Sequence, residues 1–364
     1  MDKKLPLRKG LAIGIVLLFV GTAIIPSSGQ KIEKPFQQTS RGNWLYVGGS
    51  GPGNYSKIQE AINASTDGDK VYVYDDSAPY HEIISINQSI TLLGENQQTT
   101  IIDGTGLIDS IITINAPYVT LYNLKLENAE REGIMIRGSH ATISQITIHN
   151  SSGYGWIGAI TVCWDEHNPV NPIDHTLIHN NTITRTWSGI ELTSCDQTLI
   201  ADNIIVDNVY GIFIAASFQN EIIDNCISGS QVGIIEYMGG KNIFRGNTMS
   251  NNVCGMELVC STRDIIEKNN FFNNTQHAFF MKALYLDLAV IRNMLYTHDF
   301  YFLLNYRILR PTIWKQNYWN ESRILPYVID GEAVKDPYDP TSITKRFNFD
   351  MNPAKEPYDI PEVR

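Results

Sequence analysis

The residues best suited to chemistry gather in one stretch. From Gly153 to His175 the chain reads GYGWIGAITVCWDEHNPVNPIDH, which brings Trp156, Trp164, Asp165, Glu166, His167, Asp174 and His175 close together, with Trp187 and Glu191 shortly after. Carboxylates beside an imidazole can move protons at a glycosidic oxygen, and indole rings offer flat apolar faces to a sugar ring. On this reading Asp165, Glu166, His167 and Glu191 are the candidate catalytic residues. Trp156, Trp164 and Trp187 are the candidate substrate-binding residues. The alternative is a solvated polar loop whose tryptophans pack on the neighbouring turn, and the composition alone leaves both open. His175 and His179 form an HxxxH pattern, but on a strand they stand roughly 13 Å apart, beyond shared coordination of one ion. No metal site is expected from them.

What must position these residues is a repeat. Gly189, Gly211, Gly233 and Gly255 are 22 residues apart, and Asn181, Asn203, Asn225, Asn247 and Asn269 keep the same step. A fixed period of this size, with short β-prone runs between Asn, Asp, Gly and Ser turns, marks a solenoid of β-coils. The asparagines are expected to tolerate left-handed backbone at a bend and to form a ladder of stacked amides. The column extends with interruptions to Gln145 and Asn123 upstream and to Asn293 and Asn317 downstream. Between Gln145 and Asn181 lie 36 residues, one period plus a surplus that falls within Gly153–His175. Insertions in repeat folds become loops on one face, often the binding face. The fold class is therefore all-β: a solenoid of about eleven β-coils, on the order of 50 Å long at about 4.8 Å per coil, which the resemblance given below implies to be a right-handed parallel β-helix.

Alternation after each Gly sends Ile190, Leu192, Ile212, Ile214, Ile234, Met256 and Leu258 inward and Met135, Glu191, Phe213, Ile235 and Glu257 outward. Glu191 and Glu257 then lie three coils apart, roughly 14 Å, wider than the ~5–9.5 Å of a glycosidase pair. Glu236 falls on the inward parity, for which a bulge or register shift at Tyr237–Gly240 is expected.

Three regions follow. Residues 1–29 begin with basic MDKKLPLRKG, continue with the apolar GLAIGIVLLFVGTAII and end in small residues, as a signal peptide or signal-anchor does. Residues 44–325 hold the β-helix with a short N-terminal cap, a helix over Tyr55–Ala64 with a Ser56-x-x-Gln59 capping box. Residues 326–364 are rich in Pro and Asp and read as an irregular tail. Without residues 1–29 the chain has 24 basic against 37 acidic residues, a net charge near −13. This argues against nucleic acid and anionic lipid as partners. Membrane contact is expected only through an uncleaved signal-anchor. Five cysteines (Cys163, Cys195, Cys226, Cys254 and Cys260) occupy different repeat positions without CxxC spacing, so no closed disulfide framework is expected.

The segment LYVGGSGPGNYSKIQEAINASTDGDKVYVYDDSAPYHEIISINQSITLLGENQQTTIIDG and the following G-I-x-L…N-x-I repeats resemble secreted right-handed parallel β-helix proteins of the pectin-lyase-like fold. Within that fold they are similar to the NosD or CASH (carbohydrate-binding and sugar-hydrolysis) group. The ending NYWNESRILP…AKEPYDIP is similar to that of archaeal surface members. The resemblance implies a secreted or surface location, a polysaccharide or surface glycan as partner, and a monomer. The N-T-D, D-D, G-H-G and R-I-K motifs of polygalacturonase-like hydrolases and the D-P-H-E of alginate epimerases are absent from the sequence. No acidic cluster for calcium and no dense Met/His/Cys cluster for copper is legible, so no cofactor is expected. The leading expectation is non-catalytic glycan binding. The alternatives are a lyase or glycosidase using residues 153–175, and a NosD-like accessory to copper-site maturation.

Overall fold

The computed structural model describes residues 42–151, 157–163, 173–283, 312–320, 326–334 and 343–358. The right-handed parallel β-helix read from the sequence is the fold, with about ten turns against the about eleven expected. Strands stack into an eleven-stranded and an eighteen-stranded sheet, and a small two-stranded sheet completes the wall. Register is strict where the period is 22: Ile190 lies beside Ile212, Ile212 beside Ile234, and Ile234 beside Met256. These inward side chains are fully buried and form one continuous apolar core, as the alternation requires. The glycine column has a steric cause. A Cβ at Gly233 would stand 2.5 Å from the carbonyl oxygen of Gly255, and one at Gly255 2.5 Å from that of His277.

The asparagine ladder exists, but not with the backbone expected for it. Asn181, Asn203, Asn225, Asn247, Asn269 and Asn317 each donate from Nδ2 to the next member, at 2.9–3.1 Å, the last to the carboxylate of Asp350. The left-handed residue is the one before: Asn180 (φ 55), Asp202 (φ 55), Asp224 (φ 55), Gly246 (φ 67) and Lys268 (φ 57). Asn123 and Gln145 belong to that column (φ 63 and 52) and are not ladder members. The coil that holds the surplus is one residue shorter than the sequence spacing implied, since Thr182 pairs with Thr147. Two further ladders turn other corners. One runs from Asn220 to Asn242, whose backbone N–H then donates to Asp264; the other joins Asn252 to Asn274. Both carry the same 22-residue step, which was the signal that could have found them.

The ends differ from expectation too. The cap helix spans Ile58–Ala64 and buries Ile58, Ala61 and Ile62, but its N-cap is Lys57 and no Ser56–Gln59 box forms. Instead the Glu82 carboxylate accepts the N–H groups of Ile58 and Gln59 at 2.9 and 3.1 Å, a charge-complemented N-terminus. The Gln59 side chain is drawn away to the backbone of Ser85. At the far end the expected irregular tail contributes order: Tyr327–Val334 extends the eleven-stranded sheet in parallel, and Ile343–Asp350 closes it antiparallel.

Candidate functional site

Of the expected site, Trp156, Trp164, Asp165, Glu166 and His167 lie outside the described residues. Trp187 and Glu191 are described. Trp187 stands 36% exposed at the entry to the strand Ser188–Thr193, edge-on to Tyr210 at 6.3 Å. Glu191 pairs with Thr161 before it and Phe213 after it, on the outward face as expected. It is nevertheless 5% exposed, and Glu132 close by is 2% exposed. Thr193 Oγ1 donates to one Glu191 oxygen at 3.1 Å, while the other accepts no hydrogen bond from the described residues. Burial pushes the Glu191 carboxyl up to about 7, the Thr193 hydrogen bond opposes this, and the Glu132 charge adds to it. Glu132 is itself engaged, accepting from Ser110 Oγ at 2.6 Å. Glu257 follows Glu191 by three coils, through Phe213 and Ile235, so these two acids do not form a catalytic pair.

Glu236 corrects an expectation. No bulge relieves it: it lies in register between Ile214 and Leu258 and is fully buried in the core. Its Oε1 accepts from Asn242 Nδ2 at 2.6 Å, and Asp264 lies on the next coil, also fully buried. Burial holds both carboxyls up, Asp264 to about 7, and their mutual repulsion raises Glu236 further. Two acids at this depth share one tolerable charge at most.

Two surface features went unread in the sequence. The first is an aromatic face on the opening coils, in the strands Trp44–Val47 and Lys70–Val73. Trp44 and Tyr46 alternate onto one side, 46% and 38% exposed, with Tyr72 and Tyr74 beside them. Ring centroids lie 6.3 Å apart for Trp44–Tyr46, 6.4 Å for Trp44–Tyr72, 6.2 Å for Tyr46–Tyr74 and 5.0 Å for Tyr72–Tyr74. Lys70 covers the Trp44 ring at 5.0 Å. The rim is acidic: Asp75 and Glu95 meet at the Asp75 amide, and the charges of Glu95 and Asp75 help hold the Tyr72 hydroxyl up after its burial. The signal was the W-x-Y and Y-x-Y alternation of WLYV and VYVYDD, legible only once the pairing of Tyr46 with Tyr72 is known.

The second is a corner of the helix. His179 is on the strand Leu177–His179, with Asn180 Nδ2 2.8 Å from its Nδ1. His175 instead meets His140 of the preceding described coil, rings parallel within 19° at 5.0 Å. With Asp174 they form a group whose ligating atoms all lie within 4.8 Å of one another. Spacing along the chain hid it, because the two histidines are brought together by stacking across the surplus.

A family model described as "Periplasmic copper-binding protein (NosD)" matches residues 62–284. No curated protein sequence matches the chain. Among solved structures, it is similar to the A-module of mannuronan C-5 epimerase AlgE6 of Azotobacter vinelandii, at 11% identity over 62% of this chain and 76% of that one, with a TM-score of 0.42. A PL6 alginate lyase in complex with a trisaccharide matches at 12% identity over 67% of this chain and 60% of that one, TM-score 0.41. The periplasmic alginate epimerase AlgG matches at 10% identity over 59% and 66%, TM-score 0.34.

Proposed function

From the premise that this chain belongs to the NosD family, we propose that it works outside the cytoplasm as a non-catalytic binding protein for glycans. The observation that carries the reading is the face of Trp44, Tyr46, Tyr72 and Tyr74, four rings in mutual contact and partly exposed on the first two coils. Contiguous exposed aromatic surface on a soluble domain marks an interaction site. Flat rings with hydroxyl tips, rimmed by carboxylate acceptors, suit a saccharide, which offers apolar ring faces and hydroxyl donors at once. The acidic rim and the net charge of −10 favour neutral chains over acidic ones. The absence of glycosidase and epimerase motifs from the sequence, and the separation of Glu191 from Glu257 by three coils, support binding without turnover.

Affinity electrophoresis against neutral and acidic polysaccharides tests it. Retardation by a neutral polymer, abolished in Trp44→Ala/Tyr46→Ala, is the expected result. Equal mobility of the two proteins in every polymer overturns it.

A second reading, a polysaccharide-active enzyme, is favoured by Glu191, whose carboxyl is held up to about 7, in the range of a general acid. Release of oligosaccharides by the wild type and not by Glu191→Gln would replace the first reading. A third reading, a NosD-like accessory to copper-site maturation, is favoured by the corner of His140, Asp174 and His175, whose ligating atoms lie within 4.8 Å of one another.

A further inference from the structure

We propose that the glycan taken by the aromatic face carries free amino groups, and that a protonated amine of the sugar is held over the Tyr74 ring beside the carboxylates of Glu95 and Asp75. This deepens the glycan reading and rests on it.

The opening coils build the place. Successive strands put Trp44 beside Lys70 and Lys70 beside Thr91, Tyr46 beside Tyr72 and Tyr72 beside Leu93. Val73 pairs with Gly94, and the Glu95 N–H donates to the Val73 carbonyl at 2.9 Å. Glu95 therefore takes the next position and stands beside Tyr74, at a strand spacing of about 4.8 Å. Alternation sends Trp44 and Tyr46, Lys70, Tyr72 and Tyr74, and Glu95 to one side. The outer face thus runs from a basic pole at Lys70 to an acidic pole at Glu95, with rings between. Four residues along a strand separate the poles by roughly 13 Å, beyond a Debye length of ~8 Å. Lys70 is screened from a cation at the acidic end.

The acidic pole has what an ammonium group needs. The protein's own rings take one elsewhere on the same face: Lys70 Nζ lies 5.0 Å from the Trp44 centroid, within the ~6 Å of a cation–π contact. Tyr72 and Tyr74 meet at 5.0 Å and 75°, so they offer two ring faces around a corner and not one flat platform, an arrangement that wraps a compact cation. The carboxylates are held in place. Glu95 Oε2 accepts from the Asp75 N–H at 3.0 Å, and Asp75 Oδ2 from Thr99 Oγ1 at 2.5 Å. The second oxygen of each accepts no hydrogen bond from the described residues, which leaves two charged acceptors for a ligand's N–H donors. Burial, and after it the charges of Glu95 and Asp75, push the Tyr72 hydroxyl up, so the field at this end is negative. A sugar hydroxyl meets these acceptors with a dipole alone; an ammonium adds a full charge and a cation–π contact. The net charge of −10 draws such a glycan in.

Calorimetric titration of the full chain with the hexamer of glucosamine and with its N-acetylated counterpart tests this, at about 0.15 M salt to damp the general pull of an acidic protein. The two probes share one backbone and differ only in amine against acetamide. The amine hexamer is expected to bind about tenfold more tightly, the size of an exposed cation–π contact added to an exposed ion pair. Glu95→Gln/Asp75→Asn should bring the two affinities together while leaving that for the N-acetylated hexamer unchanged, a pattern that misfolding would not produce. In the unaltered chain, raising the pH until the amines are neutral should remove the preference as well. Equal affinities in the wild type, a preference kept in Glu95→Gln/Asp75→Asn, or a lysine hexapeptide bound as tightly as the amine hexamer overturns the proposal. Binding of neither hexamer, with a neutral polysaccharide still retarding the protein, also overturns it and leaves the glycan reading standing. Binding of no glycan at all removes both.

Discussion

Burial takes Glu191 away from the water that its outward parity would give it. Alternation along the strand was readable and correct; the cover over the outer face was not, because a two-residue period says which way a side chain points and nothing of what lies over it. The consequence is thermodynamic. With the folded carboxyl raised from 4.5 to about 7 by burial, its contribution to stability is fully present below the unfolded value and is lost as pH rises through about 7. The loss is up to about 3 kcal/mol above pH 8. Glu191→Gln should therefore flatten the decline in Tm between pH 5 and 8.5, and parallel profiles for variant and wild type would discount the burial. His140 and His175 teach the complementary lesson: 35 residues apart in sequence, they become neighbours only through a register that the surplus disguised.

At the scale of the turn, each ladder amide is a shared resource. Asn225 accepts from the N–H and Nδ2 of Asn203 and donates to Ile200, Ile223 and Asn247, all while fully buried. Asn225→Leu orphans several of these groups, each costing ~1–3 kcal/mol, so a loss of about 3–6 kcal/mol in denaturant unfolding is expected. A loss under about 1 kcal/mol would mean that the ladder is ornamental. Leu124 and Ile146 occupy the corresponding place upstream, where the whole column changes to apolar and little is orphaned. The period made this ladder legible. Its backbone was misassigned by one residue because Asn is favoured both for left-handed bends and for amide stacking, and here Asn180 serves the first while Asn181 serves the second. Asp264 ends the neighbouring ladder as a buried acid beside Glu236. With Asp264 held up to about 7 by burial, its stabilising share is present below the unfolded value and lost as pH rises through 7. Asp264→Asn should raise Tm at pH 8 and leave it nearly unchanged at pH 4; the reverse order would refute the sign.

For the molecule as a whole, stacking solves the core and leaves the ends to be closed. The first end is closed by the helix Ile58–Ala64 under its Glu82 cap. The other is closed by the strand Ile343–Asp350, where fully buried Asp350 accepts from Gln316, both amide groups of Asn317, Trp319 Nε1 and Asn352. Asp350→Ala should lower stability by about 3 kcal/mol or more, as for other broken buried networks, and promote association through the uncovered edge. A monomeric variant of unchanged Tm would show that the last strand is dispensable. This closure was illegible because KRFNFD carries no period shared with the repeats; its role comes from where the ladder stops. The aromatic face was illegible for a related reason, since Trp44, Tyr46, Tyr72 and Tyr74 come from two strands outside the 22-residue register. It is the surface through which the protein is proposed to bind glycans. Affinity electrophoresis of the wild type beside Trp44→Ala/Tyr46→Ala, on gels with and without a neutral polysaccharide, tests it most directly. Retardation of the wild type alone is the result predicted, and identical migration of both proteins is the result that would contradict it.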